Sequence, residues 1–350
     1  MLFARFCVCL WFMQSTSFLA PDWLKAFSGR VLLDVRSPAE YAQGHIPGAL
    51  SFPLFSNEER AAVGTAYKQE GPEPAFLLGL DFVGPKMAGF VRSAQALAPE
   101  RRIAMYCWRG GQRSGSMAWL LRQGGFDVLT LQGGYKAWRN VALEQLHSRQ
   151  FIFKVLGGLT GSGKTPVLHA LAALGEQAID LEGLAHHKGS AFGQVGPQPS
   201  VEQFENNLFS ALDHLEPGKP VWIEDESRSI GRVYIPDHIW NQIRDASLYE
   251  IHIPHETRVQ HIAEEYGQIP TDTLSETFTR LQKKLGGQHV KTALEALAVG
   301  DLPRAVEVAL VYYDKTYRHL MELRDEKKIQ RFYFEDFDPV KMAQTLLQKV

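Results

Sequence analysis

Three cysteines in 350 residues (Cys7, Cys9 and Cys107) are too few for a disulfide framework, and such scarcity fits a reducing compartment. Net charge is nearly absent at −2, which excludes a uniformly basic surface but not a local cluster of cations on one face. Metal-ligand clusters are also lacking. Cys7 and Cys9 have no partner ligands, and His186 and His187 have none at helical spacing, so neither pair reads as a metal site. Met1 to Met13 is apolar with a single arginine, like the opening of a secretory signal, but the run is too short to span a bilayer and no small-x-small cleavage site follows. The expectation is a cytoplasmic chain with no membrane partner, carrying residues 1–20 as an apolar extension. The remainder, 45% hydrophobic and 22% charged, is ordinary for a soluble globular protein with room for about two domains.

The most informative stretch is Tyr106-Cys107-Trp108-Arg109-Gly110-Gly111-Gln112-Arg113-Ser114. It follows a buried-strand pattern, Ile103 to Tyr106, and precedes a helical one, Ser116 to Leu121, that stops at Gly124-Gly125. Glycines let backbone N–H groups turn inward, the helix N-terminus adds partial positive charge, and Arg109 and Arg113 add full charge. Such a ring should bind an anion and hold Cys107 as a thiolate. Two arginines beside a glycine pair argue against burial of this cysteine in an apolar core.

Val31 to Arg36 reads as a buried strand ending in a charged pair, and Ser37-Pro38-Ala39-Glu40 as a capped helix start. Joined to the Cys107 turn and to Leu131-Gln132-Gly133-Gly134-Tyr135-Lys136-Ala137-Trp138, these pieces resemble the rhodanese family. The resemblance implies a small doubly wound parallel sheet over residues 21–145, with Cys107 as carrier of a persulfide or its selenium analogue. The cysteine loop departs from many single-domain rhodaneses in being one residue longer. C-x5-R-S is also the spacing of cysteine phosphatases, so the loop by itself leaves a phosphatase open, and its size suits a phosphate-bearing donor. Residues 57–89 interrupt the domain; their glycine and proline density reads as a loop-rich insertion with one or two short helices.

A second α/β domain is expected over residues 146–350. The strand Phe151 to Leu156 runs into Gly158-Leu159-Thr160-Gly161-Ser162-Gly163-Lys164-Thr165, a G-x4-G-K-T loop in the strand-loop-helix context that a P-loop requires. Its glycines aim N–H groups at phosphates, Lys164 reaches the terminal ones, and Thr165 is placed to hold Mg²⁺. Val221 to Ile223 ends in Glu224-Asp225-Glu226, the form of an acidic strand end that orients such a metal; spacing does not say which acid faces the site. Asp180 to Gly193 reads as a mobile loop near the phosphates. From Glu256 onward the pattern is helical, with Arg280, Lys283, Lys284, Lys291, Lys315 and Arg318 interleaved with Tyr312, Tyr313 and Tyr317. That face is as compatible with RNA contact as with a solvated bundle.

A rhodanese-like half followed by a P-loop half, with the strings ERAAVGTAYKQEG, YCWRGGQRS, GGLTGSGKT, DLEGLAHHKGSAFG, WIEDESRSIG and YYDKTY, resembles the tRNA 2-selenouridine synthase family over nearly the whole chain after residue 20. The resemblance implies a transferase acting on 2-thiouridine at the tRNA wobble position. Geranyl diphosphate would alkylate the sulfur, and selenium from selenophosphate would then replace the S-geranyl group, with Cys107 carrying selenium as a selanyl sulfide. It further implies that the insertion around Gly64, Tyr67, Lys68 and Gly79 helps form the geranylation or tRNA site, and that a selenophosphate-producing enzyme is a partner. The P-loop could cradle the diphosphate without nucleotide hydrolysis. The alternative from the residues alone is a sulfurtransferase or cysteine phosphatase fused to an ATP-dependent kinase-like domain.

Overall fold

The computed structural model describes residues 17–23, 27–188 and 196–350. Cys7, Cys9 and the apolar opening run lie outside them, as does the 189–193 part of the stretch read as a mobile loop. The chain divides into two compact units, Met1–Ala142 and Leu143–Val350.

The first unit contains β1 (Ser17–Phe18), β2 (Val31–Asp34), α1 (Pro38–Gln43), β3 (Leu50–Ser51), α2 (Asn57–Gln69), α3 (Pro72–Val83), α4 (Met87–Leu97), β4 (Arg102–Tyr106), α5 (Gln112–Gln123) and β5 (Asp127–Leu131). The helix α6 (Gly134–Ser148) carries the unit boundary. The strands form one sheet in the order β1-β5-β4-β2-β3, every pair parallel. A parallel sheet is covered on both faces, which explains why β2 and β4 read as near-continuous apolar runs. Leu33, Val35, Ile103, Met105 and Leu121 are fully buried in its core. At α1 the Glu40 carboxylate accepts from the Ser37 N–H at 3.0 Å, closing the turn behind Pro38.

The insertion corrects the sequence reading. Residues 57–89 are not loop-rich: α2, α3 and the start of α4 fill them, joined by the short link Glu70–Gly71 and a 3-10 turn at Gly84–Lys86. Ser56 and Glu59 form a reciprocal capping box at α2, with bonds of 3.2 and 2.8 Å. Pro72 opens α3 from its first turn, where its missing N–H costs nothing. Pro72–Leu97 is the one described helical stretch long and apolar enough to cross a membrane. It is broken by the 3-10 turn, and Phe82, Val83, Phe90 and Val91 pack on the core of the unit.

The second unit contains β6 (Phe153–Gly157), α7 (Lys164–Ala173), β7 (Gln177–Ile179), α8 (Leu181–Ala185), α9 (Val201–Asp213), β8 (Val221–Glu224), the short hairpin β9 (Ser229–Ile230) and β10 (Val233–Tyr234), α10 (Asp237–Asp245) and β11 (Ser247–His252). A helical region follows: α11 (His255–Tyr266), α12 (Thr271–Arg280), α13 (Gln282–Leu285), α14 (Gly287–Ala298) and α15 (Leu302–Glu322). The chain closes with β12 (Ile329–Tyr333) and α16 (Pro339–Lys349). Its main sheet runs β12-β11-β6-β8-β7, again all parallel. The helical region expected from Glu256 is present as far as Glu322, and beyond it lies a strand that the pattern did not suggest, β12, which pairs along β11 from Leu248↔Ile329 to His252↔Tyr333. Only Phe332 of that strand is buried, so as an edge strand it shows no apolar run. Asp180 to Ala185 is likewise not loop, because the Asp180 carboxylate accepts the Gly183 N–H at 2.6 Å and caps α8.

Candidate active site

In the first unit the carboxyl end of β4 delivers Cys107, and α5 starts at Gln112, so residues 107–111 make the turn between them. The turn is locked from beneath by the β5–α6 corner. Tyr135 N–H donates to the Cys107 carbonyl at 2.9 Å and Lys136 N–H to that of Trp108 at 3.0 Å. Gly134 has φ +61°, and a Cβ there would strike the Cys107 carbonyl oxygen and come within 2.5 Å of the Gly110 nitrogen. This is why the Gly133-Gly134 pair matters to a cysteine 27 positions earlier: it permits backbone to pass directly under the cysteine loop.

Cys107 is only 3% exposed and belongs to the apolar core of the unit, against the expectation drawn from its arginines. Burial alone would raise the thiol pKa. It is outweighed by the Ser114 hydroxyl, 3.2 Å from Sγ, the Ser114 and Arg109 backbone N–H groups and the charge of Arg113, so the thiol lies below its ordinary range. Arg113 is shared, since its guanidinium forms two bonds to Glu40 at 2.7 and 3.2 Å. Arg109, Gly110, Gly111 and Gln112 are exposed. The fully buried pair Asp34–Arg36, 2.6 Å apart, supports the loop from the next strand; the Arg36 guanidinium lies 3.9 Å from the Tyr135 ring centroid. Glu40, Asp34 and Arg36 belong to the Asp34-to-Glu40 string, but nothing in it announced the contact from Glu40 to Arg113.

Beside this turn lies an apolar cavity of about 600 Å³. Phe55, Val63, Phe76, Leu80 and Val83 supply its apolar lining, and Arg60, Lys68 and Arg113 supply cations. Gly64, Tyr67, Lys68 and Gly79, singled out in the insertion, all line it, and it shares Gln112 and Arg113 with the cysteine loop. Gly79 keeps α3 close to Phe55, whose ring a Cβ would meet at 3.4 Å.

In the second unit β6 leads through the phosphate loop into α7. Gly163 has φ +81°, and a Cβ would strike the Phe337 ring, so only glycine fits this turn. Lys164 Nζ donates to the Gly158 carbonyl at 3.1 Å. The Thr165 hydroxyl lies 2.6 Å from Glu224 Oε1 and 3.2 Å from Glu182 Oε2. Ser162 is 1% exposed, and its hydroxyl has no hydrogen-bond partner among the described residues. The three acids at the strand end go different ways. Glu224 is fully buried against Thr165, and its second oxygen is unpartnered among the described residues. Asp225 pairs with Arg324 at 2.6 Å and Arg244 at 3.5 Å. Glu226 lines the cleft with Glu182; desolvation first, then repulsion from Glu182, pushes it up to about 8. Burial and the same neighbours hold Glu224 well above the carboxylate range.

Sequence reasoning did not place at the loop the residues that brace it. Tyr317 from α15 accepts the Gly158 N–H at 2.7 Å. Arg258 from α11 donates to the Thr160 carbonyl at 3.1 Å while paired with Asp314 at 2.7 and 2.8 Å. Glu182 approaches Thr165 from α8. Both loops thus stand at the carboxyl ends of parallel strands, where open α/β sheets bind ligands.

Comparison with known proteins agrees with this division. Residues 20–141 match the rhodanese-like domain family and residues 151–295 the family described as tRNA 2-selenouridine synthase AAA domain. A tRNA 2-selenouridine synthase of Sulfurovum sp. (strain NBC37-1) is 38% identical over 291 residues, covering 75% of this chain and 78% of its own length. One from Hydrogenovibrio crunogenus is 34% identical over 347 residues, covering 89% and 93% respectively. The chain belongs to the tRNA 2-selenouridine synthase family. It is therefore an enzyme with a rhodanese-like α/β unit followed by a P-loop α/β unit and a largely helical C-terminal part.

Proposed function

We propose that this enzyme converts 2-thiouridine at the wobble position of tRNA into 2-selenouridine through an S-geranyl intermediate, with geranyl diphosphate and selenophosphate as co-substrates. In the first step the thiocarbonyl sulfur attacks C1 of the geranyl group. The C–O bond breaks, diphosphate leaves, and the uridine N3 proton is lost to solvent. The phosphate loop of the second unit suits the leaving diphosphate: Gly161 and Gly163 offer backbone donors, Ser162 offers its unpartnered hydroxyl, and Lys164 turns from the Gly158 carbonyl to the anion. Thr165, with Glu224 beside it, fits Mg²⁺, which typically uses one or two carboxylates plus substrate phosphates. Bound there, the ion would neutralise charge developing on the diphosphate.

In the second step selenium replaces the S-geranyl group at C2 and geranylthiol leaves. The net exchange is redox-neutral, since selenophosphate and water yield phosphate and selenium at the selenide level. Cys107, held as thiolate among Ser114, Arg113 and the loop amides, is the selenium carrier. A selanyl sulfide is two electrons more oxidised than selenophosphate, so loading Cys107 in that form draws on a disulfide-level oxidant and its discharge on a thiol.

One observation carries this reading: the apolar cavity that shares Gln112 and Arg113 with the cysteine loop. Its volume lies within the roughly 300–1,000 Å³ of small-molecule sites. A sulfurtransferase or phosphatase acting on small anions has no use for such a seat, whereas the ten-carbon geranyl group requires one beside the incoming selenium. Nucleoside mass analysis after incubating 2-thiouridine tRNA with both co-substrates tests it. Cys107→Ala should stop at S-geranyl-2-thiouridine, and Lys164→Ala should leave 2-thiouridine unmodified. Selenouridine from Cys107→Ala would remove the carrier role, and normal geranylation by Lys164→Ala would remove the diphosphate assignment.

A further inference from the structure

The tyrosines and cations of the C-terminal helices take no part in the phosphate or cysteine chemistry, yet the structure gathers several of them at the phosphate loop. The cleft there measures about 1510 Å³, above the roughly 300–1,000 Å³ typical of small-molecule sites. Its helical wall is α15. Ala305, Val306, Ala309 and Leu310 anchor that helix in the core, while Tyr312, Tyr313, Thr316 and Tyr317 line the cleft. Tyr312 is partly exposed, meets Tyr313 edge to face at 5.4 Å, and has the exposed Lys284 Nζ 6.0 Å from its ring centroid.

We propose that this wall seats the target uridine, its ring stacking on Tyr312 while Lys284 meets a phosphate of a flanking nucleotide. The proposal rests on the assignment of geranyl transfer to the phosphate loop. The hydrogen bond from Gly158 to Tyr317 ties α15 to that loop, so a base on Tyr312 and a diphosphate at Lys164 keep a fixed relation within one cleft. Aromatic side chains beside cations are what single-stranded RNA uses, because every base offers a π-face and every linkage a charge. A free mononucleotide would use the tyrosine and the loop alone. The size of the cleft, above that of a small-molecule site, and the exposed Lys284 at the rim of the tyrosine face favour a strand. The structure also divides the cations read from sequence: Arg280 donates to Thr277 at 2.8 Å and Lys291 pairs with Glu295 at 3.8 Å, leaving Lys284 to face the cleft.

The test uses the full-length protein and a 2-thiouridine anticodon stem-loop, with affinity measured at several salt concentrations and geranyl diphosphate binding measured separately by calorimetry. Tyr312→Ala should weaken stem-loop binding about tenfold or more with an unchanged salt slope, and Tyr312→Phe should bind within about twofold of wild type. Lys284→Ala, a substitution at an exposed residue that leaves the fold intact, should reduce the salt slope by about one. All three should bind geranyl diphosphate as wild type does. The proposal is overturned if Tyr312→Ala and Lys284→Ala both keep wild-type affinity and slope. It is also overturned if ATP or GTP binding depends on Tyr312 while stem-loop affinity does not. Loss of stem-loop affinity in Tyr312→Ala together with unchanged geranyl diphosphate binding in Lys164→Ala would uphold the uridine seat and reject the diphosphate assignment alone.

Discussion

Replacing Ser114 by alanine should slow the chemistry of Cys107 without disturbing the fold. Ser114 is 1% exposed, and its hydroxyl lies 3.2 Å from Sγ and 3.3 Å from the Gly111 carbonyl oxygen, so the change removes the donor to the sulfur, with its alternative bond to Gly111, and adds no bulk. A hydrogen bond to an ionised group contributes about 1.5–3 kcal/mol, equivalent to a roughly 10- to 150-fold smaller thiolate population at a fixed pH below the pKa. A less acidic thiol is intrinsically more nucleophilic, with a Brønsted coefficient of about 0.4–0.5, which recovers nearly half of that loss on a logarithmic scale. The net expectation is alkylation by iodoacetamide about 4- to 20-fold slower, with the inflection of the pH–rate profile moved upward. Because the hydrogen bond depresses the thiol pKa, its loss must move the inflection toward higher pH and never lower. Access to the buried sulfur would appear differently, as a pH-independent factor common to both proteins. Equal rates and superimposable profiles would refute the assignment of Ser114 as the principal donor to the thiolate.

Three further outcomes follow from the geometry. Phe76, half-exposed in the cavity wall, can be changed to aspartate without burying a charge in the core; selenouridine formation should fall by about tenfold or more while S-geranyl-2-thiouridine accumulates, as read by nucleoside mass analysis. Glu226 has its folded pKa raised to about 8, so the native state holds a proton that the unfolded chain releases near pH 4 to 5; stability from this group is present below that range and is lost as pH rises toward 8. The Tm of Glu226→Gln should therefore gain on wild type between pH 5 and 8, and a gap independent of pH would contradict the shift. Arg258→Met leaves the nearly buried Asp314 without its partner and should cost about 3–5 kcal/mol in denaturant unfolding, much of it restored by adding Asp314→Leu.

How far the sequence was legible depended on whether a feature is local. The capped helix start at Ser37/Glu40, the G-x4-G-K-T loop and the strand ahead of Cys107 each have their cause within a few neighbouring residues, and the structure shows the elements that those residues call for. The insertion was misread because its glycines and prolines were counted as loop formers. Gly71-Pro72 and Gly84-Pro85 stand at helix boundaries, while Gly64 and Gly79 sit inside helices whose faces line a cavity. β12 escaped notice because an edge strand with one buried side chain leaves no alternation to find.

The burial of Cys107 shows what local pattern cannot supply. Its own neighbours, two glycines and two arginines, describe an open anion ring. What closes the ring is Gly134 passing beneath the Cys107 carbonyl, and what occupies Arg113 is Glu40, 73 positions earlier. The phosphate loop repeats the pattern, since its brace comes from Tyr317, 159 positions away, and from the Arg258–Asp314 pair. At both loops the short motif specifies the chemistry, and a distant residue outside that motif sets the geometry in which that chemistry can run. A substitution at Glu40 or Tyr317 should therefore impair the enzyme while leaving the C-x5-R-S and G-x4-G-K-T loops themselves intact.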